Sequence, residues 1–148
     1  MSHLKFYNYS RAGEWASENF GYSQAVRVGD RIECSGQGGW KFPKEGPVSL
    51  VDTFPKDIKE EIDQAFVNVD AALKAAGGKG WSQVFRVNSY HIGLSDAISG
   101  MMAENFKKWM PDHQPLWTEI GVAKLGADGM NVEIEVSAHD PEGATKAK

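Results

Sequence analysis

Three carboxylates near the C-terminal end of the chain, Glu119, Glu133 and Glu135, lie in segments that alternate like strands. An ionised group there is costly unless it is partnered or used. Two carboxylates that share a proton push one pKa up toward the range useful for general acid–base catalysis, so Glu119 and Glu133 are a candidate catalytic pair. Whether they meet depends on register. Opposed positions with an even sum put both on the face of Trp117, whereas an odd sum puts Glu133 beside Thr118. The turn Gly126-Ala127-Asp128-Gly129 leaves that parity open. The competing reading has Glu135, and Glu133 with it, paired to Lys or Arg at a sheet edge.

Other reactive side chains point to less. Cys34 alternates with Ile32 in a strand pattern, which favours a buried inert thiol over a nucleophile. His3, His91, His113 and His139 show no short helical pairing, so no metal is expected. The run Gly36-Gln37-Gly38-Gly39 lacks the lysine and spacing of a P-loop and the strand–loop–helix order of a dinucleotide site.

The elements that must hold these residues follow from pattern. Val26, Val28, Ile32 and Cys34 alternate around Gly29-Asp30, predicting a hairpin between Gln24 and Ser35. Residues 36–47, rich in Gly and Pro without a hydrophobic period, read as a loop. From Lys56 to Ala76 the residues Ile58, Ile62, Ala65, Phe66, Val69, Ala72, Leu73 and Ala76 form one helical stripe, ended by Gly77-Gly78. Val84 to Ile92 reads as a strand, and Ser95 or Asp96 caps a second helix to about Met110. Strands at about 117–125 and 130–138 close the order, and the tail after Asp140 reads as loose and polar. Strand, strand, helix, strand, helix, strand, strand predicts one α+β domain with a mixed sheet covered on one face by two helices. Its other face needs cover, which an oligomer partner would supply.

Composition limits the function. A chain of 148 residues makes one ordinary domain, and 41% hydrophobic residues with five Trp and seven Phe suffice for a core. A net charge of −4, without basic clusters, is a poor match to a polyphosphate, so nucleic acid is not the favoured partner. The lone cysteine and the absence of a signal-like or membrane-spanning stretch predict a protein of a reducing compartment, the cytoplasm first, with the mitochondrial matrix left open.

Four segments taken together resemble the Rid family, the reactive intermediate deaminases also known as YjgF-like or endoribonuclease L-PSP proteins. They are Tyr22-Ser23-Gln24-Ala25-Val26 with Val28-Gly29, then Ser35-Gly36-Gln37, then Ala65 to Gly77, and Pro115 to Ala123 followed by Val132-Glu133-Ile134-Glu135. The resemblance covers Tyr22 to Ala138 within a single domain of 1–148, whose core is expected at about 4–139. It implies a chorismate-mutase-like α+β fold and a homotrimer with helices outside and sheets around the three-fold axis. A small-molecule pocket is then expected in each cleft between subunits, with the Tyr22 and Ser35 segments on one side and the final strands on the other.

Family deaminases hydrolyse enamines or imines derived from amino acids, without metal or organic cofactor. Position by position, Glu133 matches the carboxylate that activates water, Ser35 and Gly36 the hydroxyl and backbone lining the pocket, and Tyr22 its aromatic wall. The family's substrate-binding arginine has no counterpart. Where family deaminases read Pro-Xaa-Arg-Ser or Thr, this chain reads Pro115-Leu116-Trp117-Thr118, and an indole cannot replace a bidentate guanidinium. Glu119 stands two residues later, and Ala103 takes the place of an asparagine before the helical aromatic, Phe106.

The resemblance therefore implies a divergent member with a pocket suited to a flat or apolar, neutral or cationic molecule, bounded by Trp117, Tyr22 and Trp40. Packing at a core or interface is an equal reading of Trp117. Cofactor-free hydrolysis, deamination or tautomerisation of an imine or enamine is the leading expectation, and free 2-aminoacrylate is disfavoured. A non-catalytic metabolite-binding or interaction trimer is the alternative, and a ribonuclease comes third.

Overall fold

The computed structural model describes residues 1–50 and 53–147. The predicted hairpin is present as β2 (Ala25–Val28) and β3 (Arg31–Cys34), turning at Gly29, whose φ of 59° suits glycine. Before it come β1 (Lys5–Tyr7) and a helix, α1 (Ala12–Phe20), and after it the short β4 (Gln37–Gly38). Helix α2 (Ile58–Ala75) starts where the Asp57 carboxylate accepts the Glu60 N–H, and ends where Gly77 and Gly78 donate to Lys74 and Leu73 carbonyls. β5 (Val84–His91), α3 (Asp96–Trp109), β6 (Leu116–Gly121), β7 (Val132–His139) and α4 (Pro141–Lys146) complete the chain.

The sheet runs β1-β2-β3-β7-β5-β6, with β4 also paired to β7. β5 and β6 are parallel, joined by the α3 crossover, and β7 returns antiparallel between β3 and β5. The fold is thus α+β with a mixed sheet, as expected. α2 and α3 cover one face, where Phe66 stacks on Trp81 at 4.6 Å and both join Ile32, Val69, Leu73, Met102 and Ile134 in the core. Trp81 donates its indole N–H to the Phe66 carbonyl at 2.9 Å, which settles the polar atom of a fully buried ring. The opposite face exposes Phe6, Val28, Leu116 and Ile120.

Two expectations are corrected. The closing strands do not pair with each other, because β5 lies between them. The tail is not loose: Asp140 is buried and accepts from Arg27 Nη2 (2.8 Å), Gln83 Nε2 (2.8 Å) and the Gly143 N–H (3.1 Å), which fixes α4 to the sheet. The three donors outweigh the cost of burial and hold the Asp140 carboxyl below the usual carboxylate range.

Candidate functional site

Sheet register decides which side chains meet. Tyr90 lies opposite Glu133 on one side of β5, while Ser89 lies beside Glu119 on the other. Successive strand residues point to opposite faces, so Glu133 lies on the open face and Glu119 on the helix-covered face. Trp117, level with Val87, shares the face of Glu119. The two carboxylates therefore cannot share a proton within one chain, and Trp117 does not line the space around Glu133.

Glu133 stands instead in a cleft of about 270 Å³ together with Tyr22, Ser35 and Gly36 of the same chain. Gly36 is required by this approach: a Cβ there would fall 2.1 Å from Glu133 Oε1. Burial first, and then the charge of Glu135, push the Glu133 carboxyl up from its ordinary pKa. Among the described residues no Lys or Arg pairs with Glu135, unlike the sheet-edge pairing considered above. Glu135 Oε1 accepts from the Tyr90 hydroxyl and from Asn88 Nδ2. That hydrogen bond, with burial behind it, raises the Tyr90 phenol to about 12.

The neighbouring hydroxyls have distinct duties. Ser35 Oγ donates to the Ser23 carbonyl at 2.7 Å, so its proton is committed and its lone pairs face other partners. Tyr22 is 39% exposed at the cleft mouth. Cys34, next to Ser35, is buried, and loss of solvation raises its thiol to about 12, in line with an inert core cysteine.

The rest of the cleft is apolar, with four aromatic rings among its lining, and was only partly legible. Trp40 donates its N–H to Tyr9 Oη (2.9 Å), Tyr9 donates to Gln37 Oε1 (2.9 Å), and Gln37 Nε2 donates to Gln24 Oε1 (2.7 Å). The relay pins the Trp40 ring as a wall. α1 supplies Trp15 and Phe20, which meet edge to face with centroids 5.5 Å apart, and Trp15 lies 6.3 Å from Phe42. Ala12, Trp15, Ala16 and Phe20 fall at helical intervals before Gly21, and that stripe is the signal by which α1 could have been found.

The remaining sequence candidates form a second group under α3. Ala103, Phe106 and Trp117 line one groove, with the Phe106 and Trp117 rings edge to face at 4.9 Å. Trp117 Nε1 donates to Ser89 Oγ at 2.9 Å, which spends its single donor. Glu119 accepts from Ser99 Oγ (2.6 Å) and lies 3.4 Å from Nε2 of the buried His91. Burial pushes this imidazole down, against the opposing pull of Glu119. No group of three or more His, Cys, Asp or Glu among the described residues is placed to hold a metal ion. Nor is any helix among them long and apolar enough to cross a membrane.

Comparison with known proteins bears on this arrangement. The profile of the endoribonuclease L-PSP family matches residues 16–140. The chain belongs to that family. Among its relatives, a 2-iminobutanoate/2-iminopropanoate deaminase of Dermatophagoides farinae is 35% identical over 116 residues, spanning 77% of this chain and 81% of that protein. Protein mmf2, mitochondrial, of Schizosaccharomyces pombe is 30% identical over 119 residues, 79% of this chain and 86% of that one. Among family structures, protein YJGH superposes with a TM-score of 0.75 at 27% identity, covering 95% of this chain and 99% of that chain. The YJGF gene product of E. coli gives 0.65 at 29% identity, covering 80% and 87%. The Rid resemblance of the Tyr22, Ser35, Ala65 and Pro115 segments is thus a family relationship, and the family's fold is the one observed.

Proposed function

We propose that this chain is a divergent Rid-like enzyme that converts an imine- or enamine-like metabolite without a cofactor, by hydrolysis with loss of ammonia or by tautomerisation. The observation that carries the reading is Glu133: a half-buried carboxylate with a raised pKa, set against Gly36 and Ser35 in a cleft open to small molecules. A carboxyl poised this way donates a proton to the enamine carbon or imine nitrogen in its acid form. As carboxylate it takes a proton from water attacking the C=N carbon. The carbinolamine then collapses, the C–N bond breaks, and ketone and ammonia leave. The deaminase relative is named for this class of reaction.

Tyr22 and Gly36 are assigned to substrate binding, and Ser35, expected from the sequence among the catalytic residues with Glu119 and Glu133, to an accepting contact, since its proton is held by the Ser23 carbonyl. Glu119 is removed from the catalytic set, since it faces away from Glu133. A homotrimer would bring the groove of Ala103, Phe106 and Trp117 from one copy toward the cleft of the next. The apolar side chains Phe6, Val28, Leu116 and Ile120 on the uncovered sheet face favour such an assembly. A binding protein without turnover is the second reading, favoured by the aromatic walls and by the tryptophan at position 117.

The test is ammonia release from imines generated in place, an imino acid by an amino-acid oxidase and a carboxylate-free imine by an amine oxidase, with sedimentation to give the assembly state. Turnover in the wild type and its loss in Glu133→Gln, with an unchanged circular dichroism spectrum, supports the enzyme. Saturable ligand binding with no turnover supports the second reading. Cleavage of RNA at physiological salt, lost with Glu133→Gln, would favour the third.

A further inference from the structure

The lining of the cleft is of two kinds. Ser35, Gly36 and Glu133 supply polar atoms where β3 ends and β7 passes. Trp15 and Phe20 of α1, with Trp40, Phe42 and Leu50 of the loop after β4, contribute ring and aliphatic surface. On the same helix Ala12 and Ala16 are small, which leaves the space between α1 and the loop open.

This apolar lining is built before any ligand arrives. Trp40 is held by Tyr9, as described. The loop carrying Phe42 and Leu50 is tied to the start of α1 by Arg11, whose Nη2 donates to the carbonyls of Pro43 (3.0 Å) and Gly46 (2.7 Å). Arg11 has a φ of 69°, the one left-handed non-glycine residue among those described, so the chain accepts local strain to hold that link. The same contacts commit the guanidinium of Arg11 to the loop. No lysine or arginine is among the described residues that line the cleft.

We propose that the cleft selects substrates whose C=N carbon bears a bulky apolar group, a single aromatic ring or a branched aliphatic chain, seated between Trp15, Trp40 and Phe42. The inference rests on the imine reading for what happens at Glu133, and it adds the side chain that the substrate carries. A cavity of about 150 Å³ suffices for benzene, so about 270 Å³ holds an aromatic ring together with a short polar group. Trp15 and Phe42 are then specificity-determining residues, and methyl-bearing imines leave their surface in contact with water.

The experiment has a binding arm and a turnover arm. Calorimetric titration with phenylacetamide and with acetamide, unreactive neutral amides, reads the apolar lining alone. Phenylacetamide is expected to bind about tenfold or more tightly than acetamide, and Trp15→Ala and Phe42→Ala to bring the two together. In the turnover arm, carboxylate-free imines made by an amine oxidase from phenethylamine, isopentylamine and ethylamine are compared by kcat/KM. The first two are expected to lead by about tenfold, and the two variants to collapse that ratio. A merely structural role would lower all three substrates alike and overturn the assignment. Equal binding of the two amides, or no binding of phenylacetamide, also overturns it. Preferential amide binding with no turnover of any imine keeps the apolar selectivity and refutes the imine reading instead.

Discussion

Replacing Gly36 by alanine tests the site with the smallest possible change. The added Cβ would lie 2.1 Å from Glu133 Oε1, 2.6 Å from its Cγ and 2.7 Å from its Cδ, where ordinary contact begins at 3.4 Å. The carboxylate must therefore withdraw by about 1.3 Å. Gly36 is not among the positive-φ glycines, so alanine brings no backbone strain, and the displaced atoms belong to a side chain. The stability cost is then at the low end of overpacking, about 1 kcal/mol, or a Tm fall of roughly 2–4 °C for a chain of this size. Misplacing a catalytic group by about 1 Å costs about 100-fold in rate. The expected result is kcat/KM for ammonia release down about 100-fold with the fold intact. In a Glu133→Gln background the same change should cost nothing further, since its target is already disabled. Gly36→Ala within about threefold of wild type, or a full second penalty in the double variant, would refute the argument that Glu133 acts from this position.

Other outcomes follow from the same geometry. Glu133 has a folded pKa raised above its unfolded value, so the folded state loses stability as pH climbs from near 4 through that raised pKa; Glu133→Gln should raise Tm at pH 7 and not at pH 3.5, by calorimetry. Asp140→Ala breaks a buried pair with Arg27 and should cost about 3–5 kcal/mol in urea unfolding, whereas Lys79→Ala at the exposed contact to Glu142 should leave the midpoint nearly unchanged. Because the Asp140 carboxyl is held low, its contribution is complete above about pH 4 and fades as pH falls through the folded pKa, so the gap to Asp140→Ala should narrow in acid. Trp117→Arg removes a ring packed on Phe106 and a hydrogen bond to Ser89 and should destabilise by about 3 kcal/mol; an unchanged unfolding midpoint would show that the indole is not a packing element.

The hairpin, α2, β5 and α3 were legible because each carries a strong local signal: alternation around Gly29, an eight-residue apolar stripe, β-branched density, and the Ser95 cap. The order of the last strands was not, although a clue was present. Strand, helix, strand over 84–121 is a crossover unit, and such units place their strands parallel and side by side. The crossover leaves the other edge of β6 free, so it does not by itself exclude a β6–β7 pair; β7 sits between β3 and β5 through long-range pairing that carries no local signal, and this separates Glu119 from Glu133. α4 was missed for another reason. Its stability comes from Arg27, far away in sequence, and polar residues after Asp140 give no periodic hint of it. Tyr22, Ser35 and Gly36 are site candidates through resemblance, Glu133 through its strand pattern as well, and the structure gathers the four in one cleft; Trp15 and Phe42 gave no such signal, since they line it only once α1 and the loop after β4 are folded together.

The placement of β5 between β7 and the edge strand β6 has a consequence for how the protein can vary. Its odd residues Ser89 and His91 hold Trp117 and Glu119 beneath the helices, and its even residues Asn88 and Tyr90 hold Glu135 beside Glu133. One amino acid added just before Asn88, with no bulge to absorb it, would exchange those attachments between front and back. The strand already absorbs one irregularity between Val84 and Arg86, so length changes fit that bulged start and the connections, while from Asn88 to His91 drift in substrate choice proceeds by replacement.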